Sequence, residues 1–299
     1  MASEAVTRRV SAALVIGIIV AIIAIWLFPQ RHDFGAHIIL VLLLAAGVSI
    51  VVLAATRRTR GLTVFAVALL VFTLLFTGYV GAETPGVKWF GGGTTHGPTN
   101  TRQVALTFDD GPDAASTPEI MAILDRYGVK ATFFEVGKAI DAVPDVTRAL
   151  YRDGQLLGNH SYHHDSWSWL DPRYPELKET QAAFRRAIGT CPIFYRPPHG
   201  ARTPLLARVV RDHDMHMVLW DVSSSDWSSK DPQAVARRTL AGAKPGSIIL
   251  LHDGLDGDPH KTRPVIAQAL PMILDGLRAK HLEPVRLDVL LKTRAYQAC

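Results

Sequence analysis

The chain has 299 residues, 48% of them hydrophobic, with 32 basic and 27 acidic side chains. The positive excess is local: residues 1–82 hold six Lys or Arg against two Asp or Glu, while the remainder holds 26 against 25. With a near-neutral remainder, the basic balance is no evidence for nucleic-acid binding by the globular part, and the length accommodates a membrane anchor plus one catalytic domain.

Three apolar runs come first. Val10–Phe28, Ile38–Ala55 and Leu62–Ala82 contain 19, 18 and 21 residues, none of them charged. Each is long enough to cross a hydrocarbon core of about 30 Å at about 1.5 Å per residue. Three such runs in succession argue against a cleaved signal peptide. Arg8 and Arg9 precede the first run, and Arg57, Arg58 and Arg60 separate the second from the third. The positive-inside rule places both groups in the cytoplasm. The expectation is three transmembrane helices over 1–82, in contact with membrane lipid, with everything beyond them outside the cytoplasm. Residues 83–103, with five glycines and two prolines, read as a flexible linker.

From 104 to 299 short apolar strands alternate with helical stretches. The strands are predicted at Val104–Phe108, Ala131–Val136, Gln155–Gly158, Ile193–Tyr195, Met215–Asp221 and Ser247–Leu251, with a seventh near Pro284–Leu287. Helices are predicted near 117–127, 139–152, 175–188, 203–213, 231–242 and 264–280. Runs such as Ile248-Ile249-Leu250-Leu251 suit strands buried on both faces. A repeated strand-then-helix order predicts an α/β fold, a distorted (β/α) barrel of about seven parallel strands. Chemistry in such folds gathers where the strands end.

The reactive residue types do fall there. Asp109 and Asp110 follow the first strand and stop at a Gly111-Pro112 breaker. Two adjacent acids repel unless a cation or a proton separates their roles, which suggests one metal ligand and one general base. A solvated turn is the plainer alternative. His160 and His164 follow the third strand, four residues apart, and can grip one ion from one face of a turn. Two histidines and one carboxylate leave coordination positions open, as a catalytic metal requires. His163 is expected to face second-layer groups or solvent. Arg196 and His199, then Asp226 and Trp227, then His252 follow later strands. His213-Asp214-x-His216 reads as capping and surface, and Asp256-Gly257-Asp258 with His260 reads as a polar turn. Trp167 and Trp169 could stack on a ligand or pack under their loop. An external location would permit a disulfide between Cys191 and Cys299, although Cys299 is the last residue.

Over residues 102–285 the chain resembles the NodB-homology polysaccharide deacetylases, carbohydrate esterase family four. Five motifs carry the resemblance in order: Thr107–Pro112, His160–His164, Arg196–Gly200, Asp226-Trp227 and Leu250–His252. It implies that Asp110, His160 and His164 bind one divalent metal, zinc first, with cobalt or nickel as alternatives. It implies Asp109 as general base, kept charged and oriented by Arg196, and His252 as general acid paired with Asp226. Trp227 and Leu250 would line the acetyl pocket, and the His199 backbone N–H would meet the oxyanion. The sequence departs from the family at His199, where Tyr is common, and at Ser223, where many members carry Asp. The implied activity is N-deacetylation of an amino-sugar polymer of the cell envelope, peptidoglycan N-acetylglucosamine first. An O-acetyl esterase with the same site, or a tethered glycan-binding module without catalysis, are the alternatives.

Overall fold

The computed structural model describes residues 92–165, 171–262 and 264–299, together with eight helical positions between Ala68 and Ala82. The first two apolar runs, most of the third, and Trp167 and Trp169 lie outside the described residues. Among the described residues no helix is long and apolar enough to cross a membrane.

Residues from Lys88 to Cys299 form one compact unit. In chain order its strands are β1 (Gln103–Asp109), β2 (Thr132–Glu135), β3 (Leu156–Asn159), β4 (Cys191–Pro192), β5 (Phe194–Tyr195), β6 (His216–Met217), β7 (Val222–Ser223), β8 (Ile248–His252), β9 (Glu283–Val285) and β10 (Tyr296–Gln297). The helices are α1 (Ser116–Tyr127), α2 (Gly137–Ala142), α3 (Pro144–Arg152), α4 (Pro175–Ile188), α5 (Pro204–Asp212), α6 (Pro232–Gly242), α7 (Pro264–Ala279) and α8 (Leu287–Leu291). The strands run β6-β5-β3-β2-β1-β8-β7, with β9 added to the start of β1. Every pairing on that path is parallel. The result is a half-barrel of seven parallel strands.

Strand alternation divides the interior in two. Val104, Leu106 and Phe108 of β1, with Ile249 and Leu251 of β8, face the helices and pack with Ile120, Leu124, Leu270 and Ile273. Ala105 and Ile248 face inward, onto Phe134, Leu156, Ile193 and Val218. By the same alternation Thr107 and Asp109 of β1, and Leu250 and His252 of β8, point into the barrel. Register sets Asp109 directly beside His252.

Three sequence expectations need correction. The helix predicted over 139–152 is two helices, because Pro144 disfavours helical geometry at Val143 and restarts the helix as its own first residue. Of the strand predicted over Met215–Asp221 only His216–Met217 is strand, as β6; β7 begins just beyond it at Val222, and the two occupy opposite edges of the sheet, so the intervening chain runs from one edge to the other. Buried crossing residues such as Val218 and Leu219 are as apolar as a strand, and periodicity cannot separate the two. The later part of the expected linker is docked rather than free. Thr94 bridges Val218, His96 bridges Ser247, and the Thr94 N–H donates to the Met217 carbonyl at 2.9 Å. The segment thereby partly closes the gap between the sheet edges.

A Cys191–Cys299 disulfide secures the C-terminal strand, as β10 pairs antiparallel with β4 and sets Gln297 opposite Cys191. His213 caps the end of α5, and His216 is exposed on the edge strand.

Candidate active site

The site is built on the strand ends. Asp109 completes β1 and is buried. Asp110 leaves the strand with φ of 75°, a left-handed conformation that breaks alternation and turns its carboxylate toward the same cavity. Gly254 makes this turn feasible: a Cβ there would collide with the Asp110 carbonyl. Gly257 donates its N–H to that carbonyl at 3.1 Å.

The adjacent carboxylates share His160, whose Nε2 lies 3.6 Å from Asp109 Oδ2, but their closest partners differ. Arg196, fully buried, donates from Nη1 to Asp109 Oδ1 at 2.6 Å and to Thr107 Oγ1 at 2.8 Å. Its Nη2 donates to the Leu219 carbonyl at 3.0 Å, and its guanidinium lies 4.2 Å from the Phe134 ring centroid. A guanidinium fixed on so many sides holds one carboxylate in a single orientation. Asp110 instead meets the histidines: His164 Nε2 lies 3.0 Å from its Oδ1, and His160 Nε2 lies 3.5 Å from the same atom. Burial alone would raise the Asp110 carboxyl, but hydrogen bonds from His160 and His164 hold it well below the usual range.

These three residues offer ligand atoms that all lie within 4.8 Å of one another. His160 Nδ1 sits 2.7 Å from the Arg196 carbonyl. A carbonyl only accepts, so Nδ1 carries a proton; Nε2, which donates to Asp110 while protonated, would present its lone pair to an ion on losing that proton. Two imidazoles and one carboxylate, buried and convergent, form a donor set that fits zinc, cobalt or nickel. His163, with its side chain 60% exposed, turns away toward Glu176.

Across the cavity His252 Nδ1 is 2.9 Å from Asp226 Oδ1, and the His252 backbone N–H donates to Asp226 Oδ2 at 2.8 Å. Ser224 Oγ donates to Asp226 Oδ1 at 2.7 Å. Burial disfavours a charged His252, but the carboxylate of Asp226 outweighs it and pushes the imidazole up to about 9. Asp226 is held below its usual value: burial opposes this, and the charge of His252 overrides burial. Trp227 lies edge-on to His252 with ring centroids 5.5 Å apart.

A cavity of about 420 Å³ is lined by Asp109, Asp110, His160, His164, His199, Trp227, Leu250 and His252, and also by Trp220, Leu255 and Asp256. Arg196 and Asp226 do not line it; they sit behind Asp109 and His252. His199 has φ of 57°, and its ring lies edge-on to His164 at 4.9 Å. Trp220 escaped the sequence reading because it lay inside an apolar stretch taken for strand. Asp256 reads in the sequence as part of a polar turn. Its position four residues after His252, in a loop leaving a strand end, was the available signal. Asp258, by contrast, is a turn residue: it accepts the His260 N–H and pairs with Lys261.

Comparison with known proteins agrees with this architecture. The polysaccharide deacetylase family model matches residues 96–218. A peptidoglycan-N-acetylglucosamine deacetylase of Bacillus cereus is 32% identical over 199 residues, covering 66% of this chain and 71% of that protein. The peptidoglycan-N-acetylglucosamine deacetylase PgdA of Listeria monocytogenes is 34% identical over 194 residues, 64% of this chain but only 39% of PgdA. The crystal structure of the Bc1960 peptidoglycan N-acetylglucosamine deacetylase superposes with a TM-score of 0.64 at 29% identity, covering 68% of this chain and 94% of that one. The chain belongs to the polysaccharide deacetylase family. It is accordingly a polysaccharide N-deacetylase.

Proposed function

We propose that this chain is a membrane-anchored, metal-dependent enzyme that removes N-acetyl groups from an amino-sugar polymer of the cell envelope, with peptidoglycan N-acetylglucosamine as its substrate. The observation that carries the reading is the division of labour between neighbouring carboxylates. Asp110 meets both His160 and His164, at 3.5 and 3.0 Å, while Asp109, 3.6 Å from His160, is bound by Arg196 at 2.6 Å and makes no approach to His164 that would add it to the ligand group. A glycan-binding module has no use for that division, nor for the His252–Asp226 pair.

Asp110, His160 and His164 would hold the ion, which would supply Lewis acidity at the acetamide carbonyl. Asp109 takes the proton from the attacking water. The His199 backbone N–H donates to the oxyanion as the carbonyl becomes tetrahedral. His252, protonated through Asp226, gives its proton to the departing amine nitrogen. Leu250 and Trp227 border the space for the acetyl methyl. Acetate and a free amino sugar result. The peptidoglycan assignment draws on the named activities of the similar proteins.

Acetate release from peptidoglycan, chitooligosaccharides and acetylated xylan tests this directly. The expected result is release from the N-acetylated glycans that a chelator abolishes and added zinc restores. Release from acetylated xylan alone would make the enzyme an ester hydrolase. Release unaffected by chelation would remove the metal from the reading.

The anchor rests on the three apolar runs and on the large apolar side chains of Val71, Phe72, Leu75 and Tyr79, which are exposed on the helical positions described. A reporter fused after Cys299 should be active only on the external side; activity in the cytoplasm would reverse the topology.

A further inference from the structure

The loop after β8 touches the ligand set at two points that the catalytic roles above leave unused. The Asp256 N–H donates to Asp110 Oδ2 at 3.3 Å. The Asp256 carboxylate oxygen Oδ1 stands 3.5 Å from His164 Nδ1. That nitrogen is buried and has no hydrogen-bond partner among the described residues. His160 is different, because its Nδ1 is already bonded to the Arg196 carbonyl. Among the described residues, one histidine of the pair is therefore oriented by a hydrogen bond from its second nitrogen, and the other is not.

A metal-bound imidazole needs its remaining N–H engaged, since that contact fixes the tautomer and the ring plane and raises ligand basicity. The Asp256 side chain is 64% exposed on the cavity rim, so it is free to close the remaining gap. Its backbone has φ of 50°, a left-handed conformation that an aspartate tolerates at some cost. Strain of that kind persists where surrounding structure imposes it. Here the imposed conformation brings one residue's N–H and carboxylate to two different ligands.

We propose that Asp256 is a positioning residue for the metal: its carboxylate accepts the Nδ1 proton of His164 and its N–H steadies Asp110. It thereby tunes the affinity of the site without touching the ion. The proposal rests on the metal-dependent reading above.

The test is zinc affinity of the full-length protein in detergent, measured by competition with a chromophoric chelator, with the visible spectrum of the cobalt-loaded protein as a second readout. Asp256→Gly is the informative variant. It removes the carboxylate, keeps the N–H to Asp110 and eases the left-handed backbone, so a loss of affinity is not a loss of fold. Zinc affinity should fall about 10–100-fold in Asp256→Gly. The loss should be smaller in Asp256→Asn, whose amide oxygen still accepts, and the cobalt bands should shift in both. Affinity within twofold of the parent, with an unchanged spectrum, would overturn the proposal while leaving the metal reading intact. So would a raised KM at unchanged affinity, which would assign the carboxylate to the glycan. A parent protein that binds neither ion would remove both.

Discussion

Replacing Asp109 by Asn should reduce turnover by about 10²–10⁴-fold, the range for loss of a positioned general base. Metal content should remain at the parent level. Asn preserves the shape of the side chain, and its oxygen can still accept from Arg196 Nη1. What it lacks is a basic lone pair for the proton of the attacking water. Asp110, His160 and His164 are untouched by the change and keep their ligand atoms together. Steady-state kinetics with metal analysis of the same sample decides the matter. A fully active variant would move the base elsewhere, and a metal-free inactive one would show that Asp109 belongs to the ligand set.

Asp226→Asn should move the basic limb of the pH–rate profile. In the parent the general acid stays protonated until His252 titrates near 9, so activity falls only above that pH. Without that carboxylate, burial is opposed only by the charges of Asp110 and Asp109, and the imidazole falls toward its ordinary value of about 6.5. At pH 8 the protonated fraction, and with it the rate, should fall roughly 30-fold, whereas the two enzymes should converge below about pH 6. Stability should follow the same pair. A histidine whose folded-state value is raised adds stability that is fully present below about pH 6.5 and is lost as the pH rises through its folded value. Urea midpoints of the parent should therefore decline toward pH 9, and those of the variant should not. A basic limb that stays near 9 in the variant would separate His252 from the role of acid.

Much of the catalytic apparatus was legible in the chain because it sits at strand ends, where apolar alternation stops and polar residues begin. Asp109, His160, Arg196 and His252 could be placed on one rim from that pattern alone. Position did not reveal the direction of each side chain. Arg196 shows the difference: its place after the Ile193 run was clear, but its contacts with Thr107, Asp109 and the carbonyl of Leu219 join residues up to 89 positions apart. The cavity wall was harder still. Trp220 lay within an apolar stretch that reads equally as strand or as a buried crossing, and Asp256 lay among turn residues, with only its place beyond a strand end to mark it.

By itself the sequence determined the parallel α/β architecture, the separate apolar and catalytic regions, and the identity of the reactive residues, because all of these are written in local periodicity and in short motifs. The tertiary structure decided which carboxylate meets the histidines and which meets the arginine. That choice depends on the left-handed turn at Asp110, on the glycines that let the 254–257 loop press against it, and on the register that sets β8 beside β1. The last two are contacts between segments more than a hundred residues apart, and no local pattern of side chains encodes them.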